Sequence, residues 1–335
     1  MKVLVTGATG FVGKALINNL WSENFGVKAL VRQSSVVLPL AVEQLVMGNL
    51  KNLTLSDSSD FLREAFKGVE VVVHTAARVH LMKDNACNPL DEFRKINRDA
   101  TLILARLAAE SGVKRFIFLS SIKVNGEMTR PSHPFKPDDI NVPSDPYGLS
   151  KYEAEQGLLA LAQETRMEVV IIRPSLVYGP GVKANFASMM KWIGRSIPLP
   201  FGAIHNQRSL VALDNLVSFI SLCADREKSP KAANQVFLIS DGEDVSTTQL
   251  LRKVGQAFNH YSPLGIKAWL VPIPVFIMTF VAKLFGKGAV ANRLFGSLQV
   301  DSSKATDLLG WKPIITMDEQ LKKTVDAYLE NEKTR

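Results

Sequence analysis

The chain has 335 residues, of which 46% are hydrophobic and 21% are charged; this composition excludes a disordered protein and allows a large core. The net charge of +8 comes from 40 basic and 32 acidic residues. The basic residues form no long run, so the sequence does not indicate a nucleic-acid surface. The positive net charge suits a protein whose ligands carry phosphates.

A glycine-rich turn lies between the first predicted strand and the first predicted helix. Lys2–Thr6 predicts a short buried strand, and a helical pattern follows over 11–22. Gly7 permits a tight turn, Gly10 lets the backbone approach a pyrophosphate, and Gly13 lets the helix pack on the strand. The free N–H groups at the helix N-terminus favour phosphates. We therefore predict a dinucleotide site formed by Gly7, Thr9, Gly10, Phe11, Val12 and Gly13.

Strand and helix patterns alternate along the first half of the chain. Further strands are predicted at 28–31, 44–47, 71–74, 114–120 and 168–173, and helices at 59–67, 89–111 and 148–164. This alternation predicts an α/β fold with a doubly wound parallel sheet, a Rossmann fold. The predicted domains are a nucleotide-binding domain over 1–175, rejoined by 212–243, and a smaller, mainly helical C-terminal substrate lobe formed by 176–211 and 244–330.

Single elements are also predicted in the second half of the chain. We expect a helix over 185–195, a strand over 208–212 and a strand over 235–239 that returns to the first sheet. A later helix is expected to end at Gly310.

Three residues near the middle of the chain predict its chemistry. Tyr147 and Lys151 are four residues apart, so on a helix they lie on the same face. An ammonium beside a phenol lowers the pKa of the phenol, which makes Tyr147 a candidate general base for an alcohol. Ser121 ends an apolar strand pattern and is expected to hydrogen-bond the same substrate oxygen. We therefore predict Ser121, Tyr147 and Lys151 as the catalytic residues.

Several motifs occur together in one order. They are Thr6-Gly-Ala-Thr-Gly-Phe-Val-Gly13, His74-Thr-Ala-Ala77, Asn97, Ser121, Tyr147-x-x-x-Lys151 and Arg173-Pro-Ser-Leu-Val-Tyr-Gly-Pro180. This set resembles the extended short-chain dehydrogenase/reductase (NAD-dependent epimerase/dehydratase) family, and most of all its UDP-hexose 4-epimerases and UDP-4-keto-6-deoxy-hexosamine reductases. The resemblance implies a UDP-sugar substrate, an NAD or NADP cofactor contacted by Tyr147 and Lys151, and a role in surface polysaccharide biosynthesis.

The resemblance also implies further site residues. The cofactor residues are Asn49, Leu50, Ala76, Ala77 and Asn97, and the substrate residues are Arg78, Ser121, Asn185, Phe186 and Arg208. The chemistry of Asn185 and Arg208 agrees with this implied role in substrate binding, because a helix N-terminus and a guanidinium both suit the diphosphate of a UDP-sugar. Arg32 follows the second strand, where an acid would favour NAD, so it slightly favours NADP.

Two positions depart from the family pattern. Ile122-Lys123 replaces the Asp-Glu pair of the dehydratases, so 4,6-dehydration is not expected. Leu176 replaces a substrate-binding Asn, which leaves the sugar contacts open.

The sequence leaves several functions open. A 4-epimerase and a 4-ketoreductase share the predicted chemistry, in which hydride moves between carbon 4 of the sugar and the nicotinamide. A 3β-hydroxysteroid-type dehydrogenase, with the apolar segment 268–285 as its sterol pocket, is the second enzyme candidate. A non-catalytic NADP-sensing protein is the candidate from another class.

Localisation and assembly are predicted from fewer signals. The first strand begins at residue 2 without a preceding signal peptide, so we expect a cytoplasmic protein. Neither Cys87 nor Cys223 has the spacing of a metal ligand or redox pair. We therefore expect reduced, buried thiols and no metal. Segment 268–285 is too short to span a membrane; we expect a core or pocket-lid helix, with weak membrane-surface contact as the second possibility. A homodimer is implied by the resemblance alone.

Overall fold

A seven-stranded, entirely parallel sheet forms the centre of the structure. The computed structural model describes residues 1–35, 38–54, 59–79, 88–130, 132–139, 141–259, 268–284, 286 and 288–333. Its strands are β1 (Lys2–Thr6), β2 (Gly26–Val31), β3 (Glu43–Val46), β4 (Val71–His74), β5 (Arg115–Leu119), β6 (Glu168–Pro174), β7 (Leu176–Tyr178), β8 (Arg208–Ala212), β9 (Gln235–Ile239) and β10 (Asp244–Val245). The order across the main sheet is β3-β2-β1-β4-β5-β6-β9. This order reverses direction at β1, and the predicted Rossmann fold is confirmed.

Helices cover both faces of this sheet. The helices of the described residues are α1 (Phe11–Ser22), α2 (Ser59–Phe66), α3 (Pro89–Arg94), α4 (Ala100–Glu110), α5 (Pro146–Glu164), α6 (Ala184–Gly194), α7 (Leu213–Ala224), α8 (Thr247–Asn259), α9 (Val275–Leu284), α10 (Gly288–Phe295), α11 (Ser303–Leu309) and α12 (Met317–Lys333). In β1, Val3 and Val5 pack with α1 and α7, whereas Leu4 packs with α2, α4 and α5. Adjacent strand residues point to opposite faces, so both faces of β1 are buried.

The C-terminal part of the chain is mainly helical and carries a smaller sheet. This sheet has the order β10-β8-β7, and α6, α8 and α12 pack around it in a separate core. Helix α11 ends as expected at Gly310, which has a φ of 66°. None of the helices within the described ranges is long and apolar enough to span a membrane.

The structure describes one of the two cysteines, Cys223. Cys223 is fully buried in α7, and burial raises the pKa of its thiol well above the ordinary value. Cys87, for which the sequence predicts a reduced and buried thiol, lies outside the described residues.

Candidate active site

The predicted site residues follow the carboxyl ends of the parallel strands. Strand pairing places Thr6 beside His74 and His74 beside Phe118. The loops that leave β1, β4 and β5 therefore start at one edge of the sheet. This edge is the usual ligand-binding edge of a doubly wound fold.

The glycine-rich turn after β1 is packed against its neighbours. Gly7 has a φ of +67°, and a Cβ there would lie 2.6 Å from the backbone nitrogen of Ala76. A Cβ at Gly13 would lie 2.2 Å from the carbonyl oxygen of Gly7. Gly10 precedes α1 without any side-chain cap, so the N–H groups of the first helical turn have no partner within the helix. Thr9 and Gly10 are exposed, and Phe11 and Val12 are half-buried.

The structure brings the three predicted catalytic residues together. Tyr147 and Lys151 lie one turn apart near the start of α5, and Ser121 is close enough to Tyr147 for its side chain to act on the pKa of the phenol. Lys151 is buried, and its Nζ donates to the carbonyl oxygen of Leu119 at 2.8 Å. The same ammonium lies 4.3 Å from the centre of the Phe118 ring.

Burial changes the acidity of this pair. It raises the pKa of Tyr147 to about 12; the hydrogen bond with Ser121 acts in the opposite direction, and the charge of Asp145 adds to the rise. Burial lowers the pKa of Lys151 to about 7, against the attraction of Glu155. Burial therefore dominates the pKa of Tyr147 in this geometry, where the Lys151 ammonium lies at a backbone carbonyl, and the expectation that Lys151 lowers this pKa stays a prediction.

A buried ion pair behind Lys151 escaped the sequence analysis. Glu155 and Arg173 form a two-pronged salt bridge, with 2.6 Å between Arg173 Nη2 and Glu155 Oε2 and 3.0 Å between Nε and Oε1. Ser120 donates to the same carboxylate, and Arg173 Nη1 donates to Asn125 Oδ1 at 3.0 Å. The pair fixes α5 to β6 and to the loop that carries Ser121. The sequence indicates the position of Glu155 through its spacing: Tyr147, Lys151 and Glu155 follow one another at intervals of four residues, which places all three on one helix face.

Asn97 links the loop after β4 to α5. It is fully buried in a π-helical turn, Lys95–Asp99, that joins α3 to α4. Its side-chain oxygen accepts from the Arg78 N–H at 2.8 Å, and its amide donates to the Arg78 carbonyl at 3.1 Å and to Ser150 Oγ at 3.0 Å. Both amide hydrogens are thus used within the protein. This geometry assigns Asn97 to positioning the segment that contains Ala76 and Ala77, and its contact with a cofactor stays a prediction.

His74 is a neutral, structural histidine at the end of β4. One ring nitrogen lies 2.7 Å from Thr6 Oγ1 and the other 3.0 Å from Thr101 Oγ1. Burial, and to a smaller extent the nearby charge of Lys151, lower the pKa of His74 to about 3. The imidazole therefore joins β1, β4 and α4 without carrying charge at neutral pH.

The buried His74 predicts a loss of stability in mild acid. Below about pH 6.5 the unfolded chain binds a proton at this site that the folded protein does not bind, so stability falls as the pH decreases toward 3. We expect His74 to contribute a loss of about 2 kcal/mol between pH 6.5 and pH 5, measured by urea unfolding. His74→Gln should remove this contribution, whereas His205→Gln, at an exposed histidine, should retain it. Equal pH dependence in wild type and His74→Gln would contradict the prediction.

The residues predicted at the adenosine end of the cofactor are surface residues. Arg32 is exposed directly after β2. Asn49 is also exposed, and its Oδ1 accepts from the N–H of Lys51 at 3.0 Å, where it caps a short 3₁₀ helix that begins at Leu50. Their roles toward a cofactor stay predictions.

The predicted substrate residues occupy different environments. Asn185 is exposed in the first turn of α6. Arg208 Nη1 donates to the Gly296 carbonyl at 3.1 Å, and burial lowers its pKa. The Arg78 guanidinium lies 5.7 Å from the Phe93 ring centre, and this ring in turn contacts Tyr147.

Phe186 does not have the environment of a substrate-binding residue. It is only 5% exposed and stacks on Tyr178 in the core of the C-terminal part. Its ring anchors α6, and the geometry does not support its predicted contact with substrate.

Comparison with known proteins places the chain in a family. The model of the NAD dependent epimerase/dehydratase family matches residues 3–239. A UDP-glucose 4-epimerase of Vibrio cholerae is 48% identical over 332 residues, covering 98% of this chain and 95% of the relative. This chain belongs to the NAD dependent epimerase/dehydratase family, and the predicted resemblance is confirmed.

Two further similarities extend the comparison. The crystal structure of a Thermotoga maritima UDP-glucose 4-epimerase with UDP-glucose superposes with a TM-score of 0.75 at 23% identity, covering 99% of this chain and all of that one. An Escherichia coli O157:H7 protein named as an N-acetyl-α-D-glucosaminyl-diphospho-ditrans,octacis-undecaprenol 4-epimerase is 29% identical over 266 residues, covering 78% of this chain and 73% of the relative.

Proposed function

We propose that this protein is an NAD-dependent 4-epimerase of a UDP-hexose. The observation that carries the proposal is the grouping of Ser121, Tyr147 and Lys151 at the carboxyl ends of the parallel strands, with Lys151 one helical turn from Tyr147 and its ammonium held at the Leu119 carbonyl. The 48% identity to a UDP-glucose 4-epimerase over nearly the whole of both chains supports the epimerase over the 4-ketoreductase.

The glycine-rich turn fits the diphosphate of a dinucleotide. The first turn of α1 contains no acidic residue, and Gly10 offers no side chain to cap it. Its free N–H groups and the positive end of the helix dipole suit an anion. A nicotinamide cofactor bound at this turn would supply reversible hydride chemistry for carbon 4 of the sugar.

The side chains at this site move and hold the proton of the sugar hydroxyl. Ser121 lies near Tyr147, and we expect the hydroxyls of both residues to hydrogen-bond O4 of the sugar. Tyr147 takes the proton from O4 as the hydride leaves, and returns it to the 4-keto oxygen as the hydride comes back. The phenol must ionise for the first step against the effect of its burial, and we propose that a positive charge on Lys151 favours that ionisation.

Lys123 supports this assignment against dehydration. Its ammonium lies 3.2 Å from an oxygen of Asp145 and 3.4 Å from one of Glu127. Asp145 also accepts from the N–H of Gly148 at 3.1 Å and caps α5. The position that holds an acid in dehydratases is therefore occupied by a lysine paired with structural carboxylates.

The direct test follows both directions of the reaction. Purified protein is incubated with UDP-glucose and, separately, with UDP-galactose, and the sugars are resolved by chromatography while the absorbance of reduced cofactor is recorded. We expect the same mixture from both starting points with no net change in reduced cofactor. Stoichiometric consumption of reduced cofactor with a UDP-4-keto-6-deoxy-hexosamine would establish a ketoreductase instead. Turnover of a 3β-hydroxysteroid would establish a steroid dehydrogenase, and cofactor binding without any turnover would establish an NADP-sensing protein.

Arg32 predicts tolerance of the 2′-phosphate of NADP. A guanidinium can pair with this phosphate. The structure describes residues Arg32–Ser35 of the loop after β2, and none of them is an acid that could bind a ribose hydroxyl. We expect Arg32→Asp to weaken NADP binding at least about tenfold, with NAD binding kept within about threefold, as measured by calorimetry. Lys114→Asp, at an exposed lysine, is the control. Unchanged NADP affinity in Arg32→Asp would place Arg32 outside the cofactor site.

Arg208 is predicted to bind the diphosphate of the substrate. Charge-assisted hydrogen bonds to phosphate contribute about 1.5–3 kcal/mol each, so Arg208→Ala should raise KM by about tenfold to a hundredfold. Cofactor affinity should change little, and UDP alone should compete with the sugar substrate. Arg252→Ala, at an exposed arginine of α8, should leave KM unchanged. A normal KM for Arg208→Ala together with failure of UDP to compete would favour the hydrophobic alcohol that a steroid dehydrogenase binds.

A further inference from the structure

The C-terminal part of the protein exposes a large set of apolar side chains. We name this set the apolar surface; its members are Trp192, Ile197, Trp269, Val271, Phe276, Ile277, Phe280 and Leu284. Phe276 is 73% exposed, Phe280 64% and Leu284 69%. Single exposed apolar residues are ordinary on a soluble protein, but a group of this size indicates a binding surface.

Backbone hydrogen bonds bring the two halves of the apolar surface together. The N–H of Leu199 donates to the Trp269 carbonyl, and the N–H of Val271 donates to the Leu199 carbonyl, both at 2.8 Å. The N–H of Ile197 donates to the Trp192 carbonyl at 3.0 Å. The segment with Trp269 therefore pairs with the chain that leaves α6, and soon after Val271 it leads into α9.

Helix α9 presents one apolar face to solvent. Phe276, Phe280 and Leu284 are spaced by four residues, and Ile277 lies seven residues before Leu284, so all four share a face. The opposite side includes Met278, which is half-buried. The expectation of a core helix is therefore wrong for these exposed residues, and a pocket-lid helix stays a prediction. Phe285, the last residue of the predicted segment, lies outside the described residues.

The two stretches of sequence that contain the apolar surface carry charged residues of one sign. Segments 169–213 and 245–300 contain 11 Lys and Arg residues and no Asp or Glu, whereas the remaining residues contain 29 basic and 32 acidic residues. The entire positive excess of the chain thus falls in the two segments that form the apolar surface. Lys191, Arg195 and Lys283 are exposed beside its aromatic residues.

We propose that the apolar surface docks the protein on a membrane surface made of anionic lipids. Phenylalanine and leucine side chains of α9 enter the boundary between headgroups and acyl chains, and the two tryptophans lie at the level of the headgroups, where this side chain is enriched. The surrounding lysines and arginines attract the anionic headgroups. A second copy of the chain fits less well, since a symmetric pair would bring the same positive charges face to face. This inference does not depend on the proposed function.

Sedimentation with vesicles tests the proposal. Full-length protein is mixed with vesicles of phosphatidylcholine alone, or of phosphatidylcholine mixed equally with phosphatidylglycerol. We expect binding to the anionic vesicles, weakened by salt, with a blue shift of tryptophan fluorescence. Phe276→Asp/Phe280→Asp should lower the partition coefficient at least about tenfold. Lys191→Glu/Lys283→Glu should also lower it on anionic vesicles and remove most of its dependence on salt.

Matched variants elsewhere on the surface serve as controls. Trp21→Asp/Ile314→Asp replaces exposed apolar residues outside the apolar surface, and Lys312→Glu/Lys322→Glu replaces exposed lysines of the C-terminal helical region. Both should bind vesicles like the wild type, and all variants should keep the turnover of a water-soluble substrate. Equal binding to both kinds of vesicle, equal losses in test and control variants, or no binding to either vesicle would overturn the proposal. So would a dimer that Phe276→Asp/Phe280→Asp converts to monomer while vesicle binding persists.

Discussion

Tyr147→Phe is expected to lower kcat by about 10²- to 10⁴-fold, the usual contribution of a general acid or base. The variant keeps the ring that contacts Phe93 and loses only the hydroxyl. Cofactor affinity should therefore stay within about threefold of the wild-type value, measured by calorimetry. The reaction is followed by the interconversion of UDP-glucose and UDP-galactose.

The same helix provides a matched control for Tyr147→Phe. Tyr152 is half-buried on α5, and Tyr152→Phe removes a hydroxyl from the same helix without touching Ser121. Its kcat should stay within about threefold of wild type. If both variants kept nearly full turnover, Tyr147 would not be the proton carrier and another group at the site would have to take this role.

Arg173→Leu is expected to destabilise the protein by about 3–5 kcal/mol, because it leaves the carboxylate of Glu155 buried without its partner. Glu155 is fully buried, and Arg173 is 6% exposed. The substitution also removes the donor to Asn125 Oδ1. The free energy of unfolding, from urea titration at neutral pH, measures the effect.

Two further variants separate the charge effect from packing. Arg226→Leu breaks a salt bridge with Glu168 that is more open to solvent, and should cost only about 0–1 kcal/mol. Arg173→Leu/Glu155→Leu should regain part of the lost stability, since no uncompensated charge remains. A loss below about 1 kcal/mol for Arg173→Leu alone would show that water reaches Glu155 and that the pair does not hold α5 in place.

The residues that the sequence located well are those whose signal is local. The strand at Lys2–Thr6, the turn at Gly7 and the helix from Phe11 are consecutive, and the structure has them at the predicted positions. The spacing of Tyr147 and Lys151 needed only a helix to place them on one face. Ser121 was placed correctly beside Tyr147 because parallel strands release their loops at the same edge of the sheet.

The environment of other predicted site residues could not be read from the sequence, because burial depends on distant parts of the chain. Phe186 fits a family position, but its environment is set by Tyr178 and the helices that pack on it. The predicted helix over 89–111 is interrupted by the π-helical turn that directs Asn97 to Arg78, and no local propensity marks this turn.

The sequence by itself determined the family, the parallel sheet and the placement of Tyr147 and Lys151 on one helix face, because hydrophobic periodicity, glycine positions and a spacing of four residues are properties of neighbouring residues. Only the tertiary structure decided how acidic that tyrosine is, which arginine holds the Glu155 carboxylate, and whether the apolar residues of α9 face the core or solvent. These properties depend on water exclusion and on partners far away in the chain. Glu155 and Arg173 are 18 residues apart, and Trp269 pairs with Leu199, which comes much earlier in the chain. Such contacts arise only when the sheet and the C-terminal part have packed.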